Sequence, residues 1–363
     1  MIISNFPGGS CSLSLDVVTA SALPSAVVYG QIVVITDTAF NNVYVSTEEP
    51  ASPAAGDILI ALENGAEVMW GVSSDPYFLS CGLSYAAQYS GSAWTVVDAY
   101  YGVSGVWEEF STTLPPVGTP LEDMEWADIS KIAKAGKGED YFYVGELKSV
   151  AVNGTFGSCT VSRTVYCRII GINHNKNIEG NGIHYQFLNL WDKETAWTVD
   201  PIGQKGKAFM MNTTASNAGG WQFSYMRNTI CTEFFNALPA ELRDVIRECV
   251  KYTDNAGGAG GGDPSKVTAT RDKIWLPTYT ELTGKTPQTG NAAEPEYQEQ
   301  YEYYAAGNST IRMAWLYEDL YCNWWLRGPQ VTSTTKFNAA NTSGTITSLE
   351  ANYNYGFAPC FMV

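Results

Sequence analysis

The sequence predicts an α+β protein: an N-terminal all-β module over residues 1–112, a Pro-rich linker at 113–120 and a mixed domain over 121–363. Three observations predict it. In the first third, β-branched runs recur at intervals of roughly ten residues, divided by Pro, Gly, Ser and Asp, the rhythm of a sandwich or barrel. Helical periodicity begins only after the linker, first over 120–135. Beyond it, helical stretches mix with strands of antiparallel pattern, as in α+β domains.

In the first module, Gln-Ile-Val-Val-Ile-Thr at 31–36 reads as a β-branched strand, followed by strands at 42–46 and 57–62. A short repeat follows. Tyr-Ser-Gly-Ser-Ala-Trp-Thr-Val-Val at 89–97 is echoed by Val-Ser-Gly-Val-Trp-Glu-Glu-Phe at 103–110, each a Gly turn leading into a strand with Trp94 or Trp107. Either these are core tryptophans of a plain β-module, or the hairpins serve attachment. The paired prolines near 115 stiffen the linker.

Thr119 and Glu122 have capping-box spacing, with Pro120 at the first helical position, so a helix is expected over about 120–135. A strand pair over 141–152 should turn near Gly145. Thr-Val-Tyr-Cys-Arg-Ile-Ile-Gly-Ile at 164–172 reads as a buried strand paired with 182–190. Ser224 should cap a helix with Met226, Ile230, Phe234 and Phe235 inward. Pro239 should start another, striped by Leu242, Val245, Ile246, Cys249 and Val250. The Gly-rich 255–263 reads as a flexible loop. Without Gly-Lys-Ser/Thr or a strand-to-helix context it is no phosphate loop. The Tyr-rich 283–306 reads as a surface insertion, and 311–317 leads into the final strands.

Composition narrows the function. With 21 Lys and Arg, a net charge of −16 and no basic run, nucleic acid and anionic membranes are unsuited partners. No apolar stretch reaches about 18 residues, and no secretory leader is visible. The eight cysteines form no Cys-x-x-Cys and mostly sit in apolar runs, so buried thiols are expected, with Cys159–Cys167 as an alternative pair. His184 lies in an apolar run and reads as core; His174 reads as more exposed. No Gly-x-Ser-x-Gly accompanies them, so a triad is not expected. No His/Cys spacing suits zinc. A glycan-cleaving carboxylate pair is the enzymatic rival, but Glu318 and Asp319 are strand neighbours that would face opposite ways.

The C-terminal stretch carries the functional signal. Asn-Trp-Trp-Leu-Arg-Gly-Pro at 323–329 and Tyr-Gly-Phe-Ala-Pro-Cys-Phe-Met-Val at 355–363 enclose a segment dominated by Ser, Thr and Asn, charged only at Lys336 and Glu350. This arrangement resembles the C-type-lectin-fold variable proteins of diversity-generating retroelements, such as the phage major tropism determinants, over about residues 120–363. Trp324, Trp325, Leu326 and Arg327 correspond to the scaffold signature. Trp275 and Leu276 on a strand, with Thr278 capping a helix that holds Glu281, also match.

The resemblance implies a C-type-lectin-like domain with a variable region at about 330–355, in a tail-tip receptor-binding protein rather than an enzyme. Thr332, Ser333, Thr335, Asn338, Asn341, Thr342, Thr345, Thr347, Ser348, Asn352, Tyr353, Asn354 and Tyr355 would contact a host surface protein or glycan. Such retroelements rewrite adenine-containing codons, and these residue types, with Ser343, fit the resulting vocabulary. The alternative is an ordinary polar hairpin. The N-terminal hairpins resemble tail-fibre segments, which implies attachment to other tail proteins, a homotrimer and a place in the virion. No cofactor or metal is implied, since the carboxylate pair of calcium-dependent lectins is missing beside Trp324 and Trp325. The rival functions are a structural tail protein without a ligand and a glycan-degrading tail enzyme.

Overall fold

The computed structural model describes residues 2–4, 16–28, 31–37, 40–46, 49–62, 83–103, 105–111, 114–157, 159–188, 209–260, 262–307 and 323–363. The stretch 311–317 that leads into the Trp-Trp strand, Glu318, Asp319, Cys11, Cys81 and Cys322 lie outside these residues. The chain divides into two compact units, Met1–Pro115 and Pro116–Val363.

The first unit is built from strands alone among the described residues: β1 (Ile2–Ser4), β2 (Asp16–Ala20), β3 (Gln31–Ile35), β4 (Val43–Ser46), β5 (Ile58–Leu62), β6 (Leu83–Tyr89), β7 (Trp94–Val97), β8 (Ala99–Val103) and β9 (Val106–Ser111). They form two sheets, ordered β1-β4-β5-β6-β7 and β2-β3-β8-β9. Ile32 and Val34 of β3 and Ala99 of β8 share one core with Val43, Val45, Ile58, Ile60 and Ala86 of the other sheet. Alternate residues of these strands, most of them β-branched, face this core, and burying two such faces on each other yields a sandwich. The repeated segments are the antiparallel hairpins β6–β7 and β8–β9. Their tryptophans are half-buried, with Trp94 beside Tyr89 at 5.3 Å.

The second unit mixes helices with three sheets. The largest has the order β10-β11-β12-β18, from Leu147–Phe156, Cys159–Ile172, Ile183–Phe187 and Cys360–Met362. β13 (Cys249–Asp254) pairs with β14 (Val267–Asp272), and β15 (Trp324–Pro329), β16 (Lys336–Ala340) and β17 (Ile346–Glu350) form the third sheet. The pairing of 164–172 with 182–190 is as expected, with Ile169 opposite Tyr185. The C-terminal strand closes the sheet, placing Phe361 opposite Tyr185, their rings stacked at 5.0 Å. Trp126 meets both rings edge-on.

Several local expectations are corrected. The helix expected over 120–135 is a short turn, Leu121–Asp123, and a helix, Trp126–Lys134. Thr119 forms no cap. Glu122 instead accepts from the Ser149 backbone and hydroxyl, and Lys148 ties the intervening carbonyls. The strand expected from 141 begins at Leu147, after a helical turn Gly138–Tyr141. The helix after Pro239 stops at Arg243, and Cys249 and Val250 open β13. Alternation and helical spacing coincide over so short an apolar run, and pairing with β14 decided it. Tyr301, Tyr303 and Tyr304 of the expected surface insertion are buried. Cys167, Cys231, Cys249 and Cys360 are buried free thiols, and Cys159 is buried as well, so the alternative Cys159–Cys167 pair does not form. No helix among the described residues is long and apolar enough to cross a membrane.

Because each unit has its own core, residues 116–363 expressed alone are expected to unfold in one cooperative urea transition. A fragment that binds hydrophobic dye and melts gradually would contradict this.

Candidate functional site

The stretch between the two aromatic bookends is a hairpin set on a buried strand. All of β15 is buried, both Trp324 and Trp325 included. β16 pairs with β15 on one side and with β17 on the other. The β16–β17 connection is tied by Asn341, whose side-chain oxygen accepts from the backbone of Ser343 and Thr345 and from the Ser343 hydroxyl. Gly344 supplies the positive φ (81°) that this turn requires. Lys336 and Glu350, the only charges of the stretch, face each other in register at 3.9 Å.

The structure places the expected contact residues unequally. Thr332, Thr342, Thr345 and Tyr353 are exposed, as are Thr334 and Ser343. Ser333, Thr335, Asn341, Thr347, Ser348, Asn352 and Tyr355 are half-buried. Asn338 and Asn354 are buried, so neither is displayed. Asn338 faces inward and its oxygen accepts from Thr289 and Ser348 hydroxyls. Tyr355 packs edge-on to Trp325 at 5.1 Å. The exposed residues form two patches. Ala351 donates to the Thr335 carbonyl, which brings Tyr353 to the loop holding Thr332. The Asn341–Thr345 turn lies at the other end of β16, about 15 Å away at the usual rise of a strand.

The loop before β16 is held from below by Asn217. This fully buried side chain donates to the carbonyls of Gln330, Ser333 and Lys336, and its backbone N–H donates to Thr334. Its oxygen accepts from Gly258, so the Gly-rich segment expected to be flexible packs against Asn217. A Cβ on Gly257 would lie 1.9 Å from the Asn217 carbonyl, which leaves glycine as the residue that fits. Nothing in the sequence singles out Asn217 from the Ser/Thr/Asn/Gly run around it.

Beneath β15 lies a network of buried charges. Arg327 is fully buried. It donates two bonds to Glu281 (2.6 and 3.1 Å), one to Thr253 and one to the Leu276 carbonyl. Glu281 completes the expected capping box with Thr278. Lys251 joins Glu281 (3.3 Å) to both oxygens of Glu179 (2.9 Å each) and also donates to the Tyr301 hydroxyl (3.0 Å). Burial pushes the Glu281 carboxyl up, but Arg327 and Lys251 outweigh it and hold it at about 2.

Glu179, His184 and Cys249 have ligand atoms within 4.8 Å of one another, a cluster that their sequence spacing did not suggest. Its charge is already balanced. Lys251 engages both Glu179 oxygens, and burial raises the Cys249 thiol so that it donates to Glu179 rather than binding as thiolate. Burial lowers His184 to about 4, so the imidazole is neutral beside that carboxylate. His174, expected to be more exposed, is buried against Tyr301 at 4.1 Å and bonded to Glu302.

A family model described as a domain of unknown function, DUF6273, matches residues 202–363. No curated protein and no solved structure matches the chain. The matched region holds Lys251, Glu281, Arg327, Asn217 and the whole hairpin. It leaves out Glu179 and the strands β10 to β12, against which β18 is laid.

Two outcomes test this network. Arg327→Met would leave Glu281 buried and unpaired, so it is expected to cost about 3–5 kcal/mol in urea unfolding. Arg327→Lys should not restore this, because an ammonium lacks the two-pronged contact. Separately, burial raises Glu294 to about 7, opposed by Arg327 and by a hydrogen bond from the Asp254 backbone, and helped by the nearby carboxylates of Asp254 and Glu281. A carboxyl raised on folding stabilises most below its unfolded value and loses that contribution as pH rises through the folded one. Glu294→Gln is therefore expected to gain about 3 kcal/mol on the wild type between pH 4.5 and 8. An equal stability difference at both pH values would show that Glu294 does not titrate there.

Proposed function

We propose that this protein is a phage tail-tip receptor-binding protein whose domain over 121–363 has a C-type-lectin-like fold and presents residues 330–355 to a bacterial surface protein or glycan. One observation carries the reading: backbone and outward side chains of this stretch are separately controlled. Its backbone is anchored by Asn217, Thr289, Phe209 and the strand containing Arg327, all outside its exposed residues. Its exposed side chains are threonine and serine hydroxyls and one tyrosine, with half-buried amides beside them and its two charges paired to each other. Tyrosine offers stiff contact area, and Ser, Thr and Asn offer adaptable hydrogen bonds, so such a surface changes partner without losing its support.

In this reading the contacts are non-covalent and need no cofactor. The N-terminal sandwich attaches to other tail proteins and forms a homotrimer. Several copies per particle make weak single contacts effective, raising avidity by roughly 10²–10⁴.

Replacing Thr332, Thr342, Thr345 and Tyr353 together by Ala tests it. The melting temperature is expected to stay within about 2 °C, since exposed substitutions are nearly neutral, while binding to susceptible cells falls at least about tenfold. Unchanged cell binding would overturn the assignment of this face. Sequencing the 3′ end of the gene in many progeny should reveal substitutions confined to adenines in codons 330–355. A uniform 3′ end would reject diversification and leave a fixed adhesin.

A further inference from the structure

A second site lies away from the hairpin. Arg227, Asn228, Cys231, Thr232 and Phe235 share one face of a continuous helical run, a π-turn Met226–Ile230 followed by Cys231–Ala237. That face meets the end of β14 and the residues after it, Arg271 to Ile274, across a groove of about 290 Å³. The volume sits at the low end for small-molecule sites. The wider π-turn is a frequent mark of functional positions, because its extra residue re-aims side chains.

The charges in this groove do not cancel. Asp272 is fully engaged: the Trp221 indole and the Thr270 hydroxyl donate to one oxygen, and Arg227 to the other. Arg227 is committed too, bonding the Gln222 and Arg271 carbonyls with its remaining nitrogens. Asn228 is committed to the carbonyls of Gln222 and Ser224, just before the helical run, and Thr232 to the Asn228 carbonyl within it. Glu233, the acid on the same helix, points elsewhere and accepts from the Gly157 backbone at 2.6 Å. Arg271 and Lys273 remain. Both are exposed and neither has an ion pair among the described residues. Lys273 is steadied over the Phe235 ring at 4.9 Å. Two uncompensated cations thus share a groove with an aromatic wall, on a chain whose net charge is −16.

We propose that this groove binds a small oxyanion, a carboxylate or a phosphate ester, held by Arg271 and Lys273. A guanidinium matches either group with two parallel hydrogen bonds, and the ammonium adds a point charge. The apolar wall of Phe235 and Ile274 lowers the local dielectric and strengthens both contacts. A cation would be repelled, and a neutral ligand would leave both charges unused. The site is independent of the hairpin and of the function proposed for it.

Calorimetric titration of the full chain at constant ionic strength tests this, with inorganic phosphate, glucuronate and methyl glucoside as probes. Saturable binding of phosphate, glucuronate or both is expected, with none for the neutral glucoside. Phosphate alone would identify a phosphate ester as the natural group, and glucuronate alone a carboxylate. The double variant Arg271→Ser, Lys273→Ser should weaken binding at least about tenfold. Its melting temperature should be unchanged, because both side chains are exposed, and cell binding through the hairpin should be unaffected. No saturation with either anion, or equal affinity in the double variant, would overturn the proposal.

Discussion

A guanidinium with no access to water can persist only where each of its nitrogens has an acceptor and its charge is matched, because desolvation costs several kcal/mol per ion. Arg327 meets this condition through Glu281, Thr253 and the Leu276 carbonyl. Each partner belongs to a different segment: the helix Tyr279–Thr283, strand β13 and the stretch leading into that helix. One side chain therefore sets the position of β15 against three neighbours. Lys251 and Glu179 extend the same constraint toward β12, so the charges alternate in sign from the hairpin's supporting strand to the central sheet. A chain of paired charges tolerates few relative positions of its members, and so it confers specificity of arrangement rather than net stability.

The rigid part and the adaptable part of the hairpin are made from the same residue types. Asn338 and Asn217 are buried and spend their amides on hydroxyls and carbonyls, whereas Thr332, Thr342 and Thr345 point outward. Being polar therefore does not mark a residue as available. A buried amide must be satisfied, and Asn217 is satisfied by closing the loop that displays its neighbours. The glycines nearby serve the same end. Gly257 brings its segment's backbone against Asn217, where any side chain would collide.

The family match begins at residue 202, inside the compact unit that starts at Pro116. β18 lies within the match but completes a sheet whose other strands precede it. Likewise Lys251 lies within it and needs Glu179 from outside. The matched region thus carries the hairpin and most of its support, while one sheet and one charge partner come from the preceding 86 residues of the unit, 116–201.

The sequence by itself determined the local features. Alternating β-branched runs specified the strands of the N-terminal sandwich, and Thr278 with Glu281 specified a helix start three residues long in its signal. The aromatic bookends marked β15 and β18, and the change to Ser, Thr and Asn between them marked the hairpin. These signals are legible because each depends on neighbours within a few positions. The tertiary structure decided what depended on distant partners. Cys249 and Val250 became strand because β14 lay beside them, and His174 was buried because Tyr301 and Glu302 covered it. Asn338 turned inward because the Thr289 hydroxyl donates to its oxygen there, and Arg271 and Lys273 formed a pocket only when the helix carrying Phe235 arrived opposite them. Burial and charge pairing are properties of space, and a one-dimensional pattern records them only when the partners are also close in sequence.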